Sequence, residues 1–442
     1  MQATPFLTQL DSRAAIKGSR DPLGVQALWS RFGRHLVGNL TTVSNSVRDF
    51  TVLLLGYYFA ERVADEGGTQ GDLATFLKWE QLAAYARARV NKERGFRGTE
   101  RVVARLNDSD RVRLGTDGSS QILGNQRIYG LWGLYSVPAK ASGLLDGDPA
   151  RLTPPARELV ERVHLPIFAE VGLGDGRAIV ERLRGVDYTI DFREHSKDAP
   201  LLAAVARILA RLRVREREIY REYLLYGGPA DASAARGTRG VQREFADVLA
   251  ETFDDRGWRL TPQSIATLAR RARGRGGVGE ELASRLERAR TCELLIAPAV
   301  AFFEYALGCD GQTPAQIAAA VHAHWGETPR GTIDVDATEA LEPELRAWAD
   351  DTESGRRWLR LAHALHSGSY EEALYVVLEQ NAAVMKARSA AAPWALVREG
   401  KLHVRFRDEQ LTDLPEAQQL PLYWRHAYFI ESLRSVALAL RG

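Results

Sequence analysis

The chain of 442 residues has little sulfur, little lysine and no long apolar run. Its two cysteines, Cys292 and Cys309, do not form a C-x-x-C pair, which excludes a paired-cysteine zinc or redox motif. They flank an apolar helical pattern, as two core thiols in a reducing cytoplasm would. The most apolar stretch, FTVLLLGYYFA at residues 50–60, is about half of the ~20 residues a membrane span needs, so a buried helix is expected and no membrane partner. The opening MQATPFLTQLDSR has no basic start followed by an apolar run, so no secretory signal is expected. Charge of one sign is missing too. The formal net charge is +2, which neither demands nor excludes an acidic partner. Only seven of the 59 basic side chains are lysine, leaving 52 arginines. An Arg-rich, Ala-rich composition follows a GC-rich genome, so arginine abundance alone says little about phosphate binding.

The motifs of several chemistries are also absent. There is no G-x-x-x-x-G-K-[ST], and Gly172, Gly174 and Gly176 do not fit G-x-G-x-x-G, so they read as a tight turn before a helix. There is no G-x-S-x-G, and neither cysteine has a histidine nearby in sequence. No H-E-x-x-H occurs. His322 and His324 form H-x-H, but on a helix i and i+2 point to different sides. His363 and His366 stand at i, i+3. Together with Asp334 and Asp336 these histidines define the enzymatic alternative, a metal-dependent hydrolase with a dispersed site. Otherwise no catalytic residue, metal or cofactor is expected.

What is present is helical periodicity. Hydrophobic content of 45% and charged content of 26% are those of a globular chain, and the length predicts two to four domains. Helices are expected over residues 44–66, 72–93 and 98–108, and as one long charged helix over 200–225. Three later helices begin at Thr-Pro, at Thr153, Thr261 and Thr313, where threonine can cap the free amides and proline fits the first turn. The segment LAHALHSGSYEEALYVVLEQ, 361–380, reads as a helical hairpin turning at Gly368 and Tyr370. WALVREGKLHVRFRDE alternates around Glu399-Gly400 and reads as a β-hairpin, followed by an aromatic-rich closing helix. The fold class expected is therefore mainly α and multi-domain, with a small α+β C-terminal part. Breaks at 226–240 and 326–344 suggest four segments: 1–165, 166–228 as a connector, 240–330 and 331–442.

The stretch ASGLLDGDPARLTPPARELVERV, 141–163, carries the most specific pattern. Two short strands around a Gly-Asp-Pro turn lead into a helix at Thr153, after three candidate helices at 72–93, 98–108 and within 119–137. Over residues 72–163 this resembles the wing and following helix of winged-helix transcription regulators, in which the third helix lies in the DNA major groove. The resemblance implies a DNA surface made of Asn125, Gln126, Arg127, Lys140 and Arg151. The candidate third helix departs from that pattern. It holds Gly130 and Gly133, each costing about 1 kcal/mol in a helix interior, and many apolar side chains.

A second basic feature, RRARGRGG at 270–277, reads as a mobile loop whose Arg270, Arg271, Arg273 and Arg275 could meet phosphates. The expected function is thus a non-enzymatic, cytoplasmic component of a bacterial multi-protein system, with double-stranded DNA and other proteins of that system as partners. A pure helical adaptor, in which the module binds protein only, is the other alternative. In size, lack of catalytic motif and the aromatic segment WRHAYFIESLRSV, the chain is similar to uncharacterised proteins encoded beside helicases and nucleases in anti-phage islands.

Overall fold

The computed structural model describes residues 21–67, 71–230, 240–346, 348, 351–388, 392–406 and 413–441. The opening segment, Gly68, most of the 226–240 break and the end of the β-hairpin sequence past Phe406 lie outside the described residues. The protein is mainly helical, and among the described residues six short strands pair two by two. The chain divides into two compact units: residues 36–256 with 429–442, and residues 1–35 with 257–428.

The 36–256 unit is built on two helices that are buried all round. In Val47–Asp65 every residue from 50 to 61 is buried, and in Asp72–Arg89 every residue from 75 to 88. Ser46 caps the first by accepting from the Asp49 amide at 3.3 Å. The two helices pack on each other and on Leu131–Ala141 through aromatic rings. Tyr57 stacks on Trp132 at 4.9 Å, and Phe59 meets Trp79 at 4.8 Å. Such helices leave no solvated side for polar residues, so a charged side chain inside depends on partners within the protein. Lys78 illustrates this: its ammonium donates to the carbonyls of Leu183 and Gly185, at the end of the Arg177–Arg184 helix. Burial lowers its pKa to about 8. Strands Arg111–Leu114 and Tyr188–Asp191 pair antiparallel, Arg111 opposite Asp191.

The single long helix expected over 200–225 is instead broken. Ala199–Ala210 ends, Arg211 and Arg213 are extended, and Val214–Tyr220 starts afresh before a π-helical turn at Arg221–Leu225. The cause is Glu216. Its carboxylate accepts from the Arg213 amide at 3.0 Å and from the Thr51 hydroxyl at 2.6 Å, turning inward where a continuous charged helix would face water.

The second unit centres on the 30-residue helix Val278–Leu307, which contains the buried, unpaired Cys292; Cys309, just beyond it, is likewise buried and unpaired. Against it pack Pro262–Arg273, Val25–Arg34 and Tyr370–Ala387. Thr261 and Thr313 cap their helices as expected, accepting from the Ser264 and Gln316 amides at 3.1 and 3.2 Å. The helical hairpin is Ser354–His366 and Tyr370–Ala387. The β-hairpin is Ala395–Arg398 with Lys401–Val404, and its two turn residues, Glu399 and Gly400, both have positive φ, the type I′ requirement. The 326–344 break is a series of short helical turns, and near the C-terminus a 3-10 helix at Ala417–Leu422 precedes the α-helix Ile430–Leu440.

Candidate functional site

The stretch 119–163 forms a compact corner whose centre is polar. Glu80 and Gln81 lie on the buried Asp72–Arg89 helix, and Gln126 opens the short helix Gln126–Tyr129. The Glu80 carboxylate accepts from the Leu131 amide at 2.7 Å and from the Gln126 side-chain amide at 2.8 Å. Gln126 also donates to the Leu77 carbonyl at 3.0 Å. Its oxygen accepts from Gln81 at 3.1 Å and from the Ile122 amide at 3.3 Å. Burial raises the Glu80 pKa to about 7, and the hydrogen bonds to its oxygens hold it down from a still higher value.

This clamp explains the two glycines. A Cβ at Gly130 would meet the Gln126 carbonyl and both Glu80 oxygens, and one at Gly133 would meet the carbonyls of Arg127 and Ile128. Glycine lets the Gln126–Tyr129 turn fold back onto the start of Leu131–Ala141. The expected third helix is therefore two pieces joined at Gly130, whose backbone is extended.

The hairpin is present at the expected place: Leu145–Asp146 pairs with Arg151–Leu152, and a helix follows at Pro154. Thr153 does not cap that helix. Its hydroxyl donates to the carbonyls of Gly143 and Leu144, at 2.8 and 3.2 Å, fastening the helix start to the turn before the hairpin. The hairpin is strapped to the two buried helices, with Arg151 bonded to Asp72 at 2.6 Å and the Leu152 amide to Glu61 at 3.0 Å.

Of the five residues expected on a DNA surface, Gln126 is fully buried, Arg151 is neutralised by Asp72, and Lys140 donates to the Gly147 carbonyl at 2.9 Å. Asn125 is exposed but caps its own helix, accepting from the Ile128 amide at 3.2 Å. Arg127 is exposed. Its sequence neighbours Ile128 and Tyr129 are 52 and 58% exposed, and Val137 in the next helix is 66% exposed.

The four arginines of 270–275 are exposed, but the segment is not a loop as expected. Arg270, Arg271 and Arg273 form the last turn of Pro262–Arg273, where cations offset the helix dipole, and Arg275 follows in the turn. Arg270 donates to the Thr267 hydroxyl at 3.1 Å, and Arg273 lies 3.6 Å from Glu280.

The histidines do not converge. His322 is exposed beside the Tyr370 ring, and His363 pairs with Glu339 at 3.3 Å. His366 alone joins Asp334 and Asp336, in a cavity of 520 Å³ within the second unit. Among the described residues no group of three or more His, Cys, Asp or Glu could hold a metal ion.

Several polar clusters escaped the sequence reading. Arg87 is buried against Asp49 at 2.6 Å and Glu93 at 2.7 Å, with its guanidinium over the Phe96 ring. His164, fully buried, lies 3.5 Å from Glu216 and has no hydrogen bond, and burial lowers its pKa to about 3. Glu293 accepts from the amide of His426 at 3.0 Å and from its imidazole Nδ1 at 2.8 Å. For Arg87 and Glu293 the local signal was a charged residue within a run of buried helix; His164, whose own turn carries exposed Glu161 and Arg162, gave none. No protein-family model, no curated protein and no solved structure matches this chain.

Proposed function

We propose that the protein is a non-catalytic binding component that handles nucleic acid within a multi-protein system. The reading rests on one observation: four exposed arginines, Arg270, Arg271, Arg273 and Arg275, are gathered round the end of one helix. Guanidinium groups so grouped make bidentate, charge-assisted bonds to phosphate oxygens. The corner at 125–151 offers fewer exposed cations, because Gln126 is inside and Arg151 is partly buried against Asp72. The test is fluorescence anisotropy of a labelled DNA duplex with the full chain, wild type against Arg270, Arg271, Arg273 and Arg275 all changed to Ser. The quadruple variant is expected to lose most of the affinity. Equal affinity removes this reading. A cytoplasmic setting is part of the proposal, supported by two buried, unpaired thiols.

The scaffolding half of the reading is carried by a second observation, the exposed Ile128, Tyr129 and Val137 with Arg127 and Lys140 beside them in sequence. Exposed aromatic and aliphatic groups with a basic rim suit a protein partner that offers apolar anchors flanked by carboxylates. Changing Ile128 and Val137 to Asp is expected to release a protein that co-purifies from the native source and to leave DNA affinity unchanged. Co-purification that survives the change removes this surface.

A further inference from the structure

We propose that the 520 Å³ cavity of the 257–428 unit binds a small zwitterion, an α-amino acid or dipeptide with a free ammonium and a free carboxylate. Its walls come from separate elements. The Val278–Leu307 helix contributes Arg290 and Thr291, and the Thr328–Thr332 helix contributes Arg330. Asp334 and Asp336 stand at the start of the Val335–Glu339 helix, and His366 ends the Ser354–His366 helix. Two cations and two anions therefore share one concavity. Arg330, Asp334 and Asp336 are exposed at its rim; a ligand of a single sign would be drawn by one pair and repelled by the other, whereas a ligand carrying both charges has a partner for each.

The hydrogen bonds already made narrow the choice. Arg290 donates through Nε to Glu287 at 2.7 Å, and Arg330 lies 3.7 Å from Glu327. Guanidinium groups that are half-neutralised in this way suit a singly charged carboxylate better than a phosphate dianion. Asp334 uses Oδ1 to cap its helix, accepting from the Ala337 amide at 2.9 Å, which leaves Oδ2 for an ammonium. His366 has Nδ1 3.0 Å from the Ile333 carbonyl. A carbonyl only accepts, so Nδ1 carries a proton and this bond holds the ring in place. Among the described residues no Phe, Tyr or Trp lines the cavity, so a nucleobase has no stacking partner there. The site is independent of the nucleic-acid reading.

The test is saturation-transfer NMR and calorimetry on the full chain. The probes are the twenty α-amino acids and glycylglycine, each compared with its N-acetylated, C-amidated form. At least one zwitterion is expected to bind saturably, with a Kd between about 10 μM and 1 mM, and its blocked form not to bind. Affinity should fall at least about tenfold in Arg290→Met and in Asp336→Asn, the size expected for losing one charge-assisted bond. Gly331→Leu supplies a variant that keeps every charge. Gly331 lines the cavity, and a Cβ there meets nothing within 4 Å, so a larger side chain is accommodated without a clash and narrows the space. Binding should be lost in it as well. The proposal is overturned if no probe saturates, if the blocked forms bind equally, or if filling the cavity leaves affinity unchanged.

Discussion

Gln126→Ala separates a surface role from a structural one. The substitution removes four hydrogen bonds: to the Leu77 carbonyl, to Glu80, from Gln81 and from the Ile122 amide. Gln81 keeps its bond to the Gly115 carbonyl at 2.8 Å, so its amide is not orphaned. The Ile122 amide and one Glu80 oxygen are. Each orphaned buried group costs about 1–3 kcal/mol, and the vacated space adds to this, so the total loss is about 3–5 kcal/mol. With a urea slope of about 2–3 kcal/mol/M, the midpoint falls by about 1–2 M. Arg127→Ala, one residue on and exposed, should change stability by no more than about 0.5 kcal/mol. A chain of two units unfolds in more than one step, so urea titration by circular dichroism is paired with hydrogen exchange on peptides from 47–65 and 72–89. Those peptides should lose protection in Gln126→Ala alone. An unchanged midpoint, or equal losses in the two variants, refutes the buried clamp.

Two titrations in the same unit should oppose each other. The Glu80 pKa is raised from 4.5 to about 7, so its contribution is fully present below pH 4.5 and is lost as pH rises through about 7. The His164 pKa is depressed from 6.5 to about 3, so its contribution is present above pH 6.5 and is lost as pH falls through about 3. Between pH 7 and 5 each is worth about 2 kcal/mol, and they cancel. His164→Met should therefore unmask Glu80, making the unit about 2 kcal/mol more stable at pH 5 than at pH 7 by urea titration; a flat profile in the variant contradicts this. Gly133→Ala should cost more than about 2 kcal/mol, because the new methyl meets two backbone carbonyls that have nowhere to move; a thermal midpoint equal to wild type would argue otherwise. Arg87→Met should cost about 3–5 kcal/mol by leaving Asp49 buried without its cation, read by the same urea titration.

Local pattern made much of this protein legible. The helices at 47–65, 72–89 and 99–108 showed in apolar periodicity and caps, and the β-hairpin showed in the Glu399-Gly400 pair between alternating residues. All three Thr-Pro helix starts are present; the threonine side chain caps at Thr261 and Thr313 but not at Thr153, whose hydroxyl finds nearer carbonyls in the preceding turn. The break in the charged helix was hidden, because Glu216 turns inward toward Thr51, a partner 165 residues away in sequence. The surroundings of Gln126 and Arg151 were hidden for the same reason. Polar character in sequence does not tell a solvated side chain from one clamped to Glu80 or Asp72, since the partners lie 46 and 79 residues away. The glycines at 130 and 133 counted against a helix there, and the chain does break at the first. Their use, close approach of one turn to another, is a tertiary fact.

The most direct test of the nucleic-acid reading is the affinity of the full chain for duplex DNA across a salt series, from about 50 to 200 mM. Log affinity should fall linearly with log salt. Changing Arg270, Arg271, Arg273 and Arg275 to Ser should lower the slope by about 3 to 4, near 0.9 per lost phosphate contact. Arg127→Ala with Arg151→Ala should leave the slope nearly unchanged. No binding at the lowest salt, or a slope that the quadruple variant does not alter, would contradict the account and leave a protein that docks proteins alone.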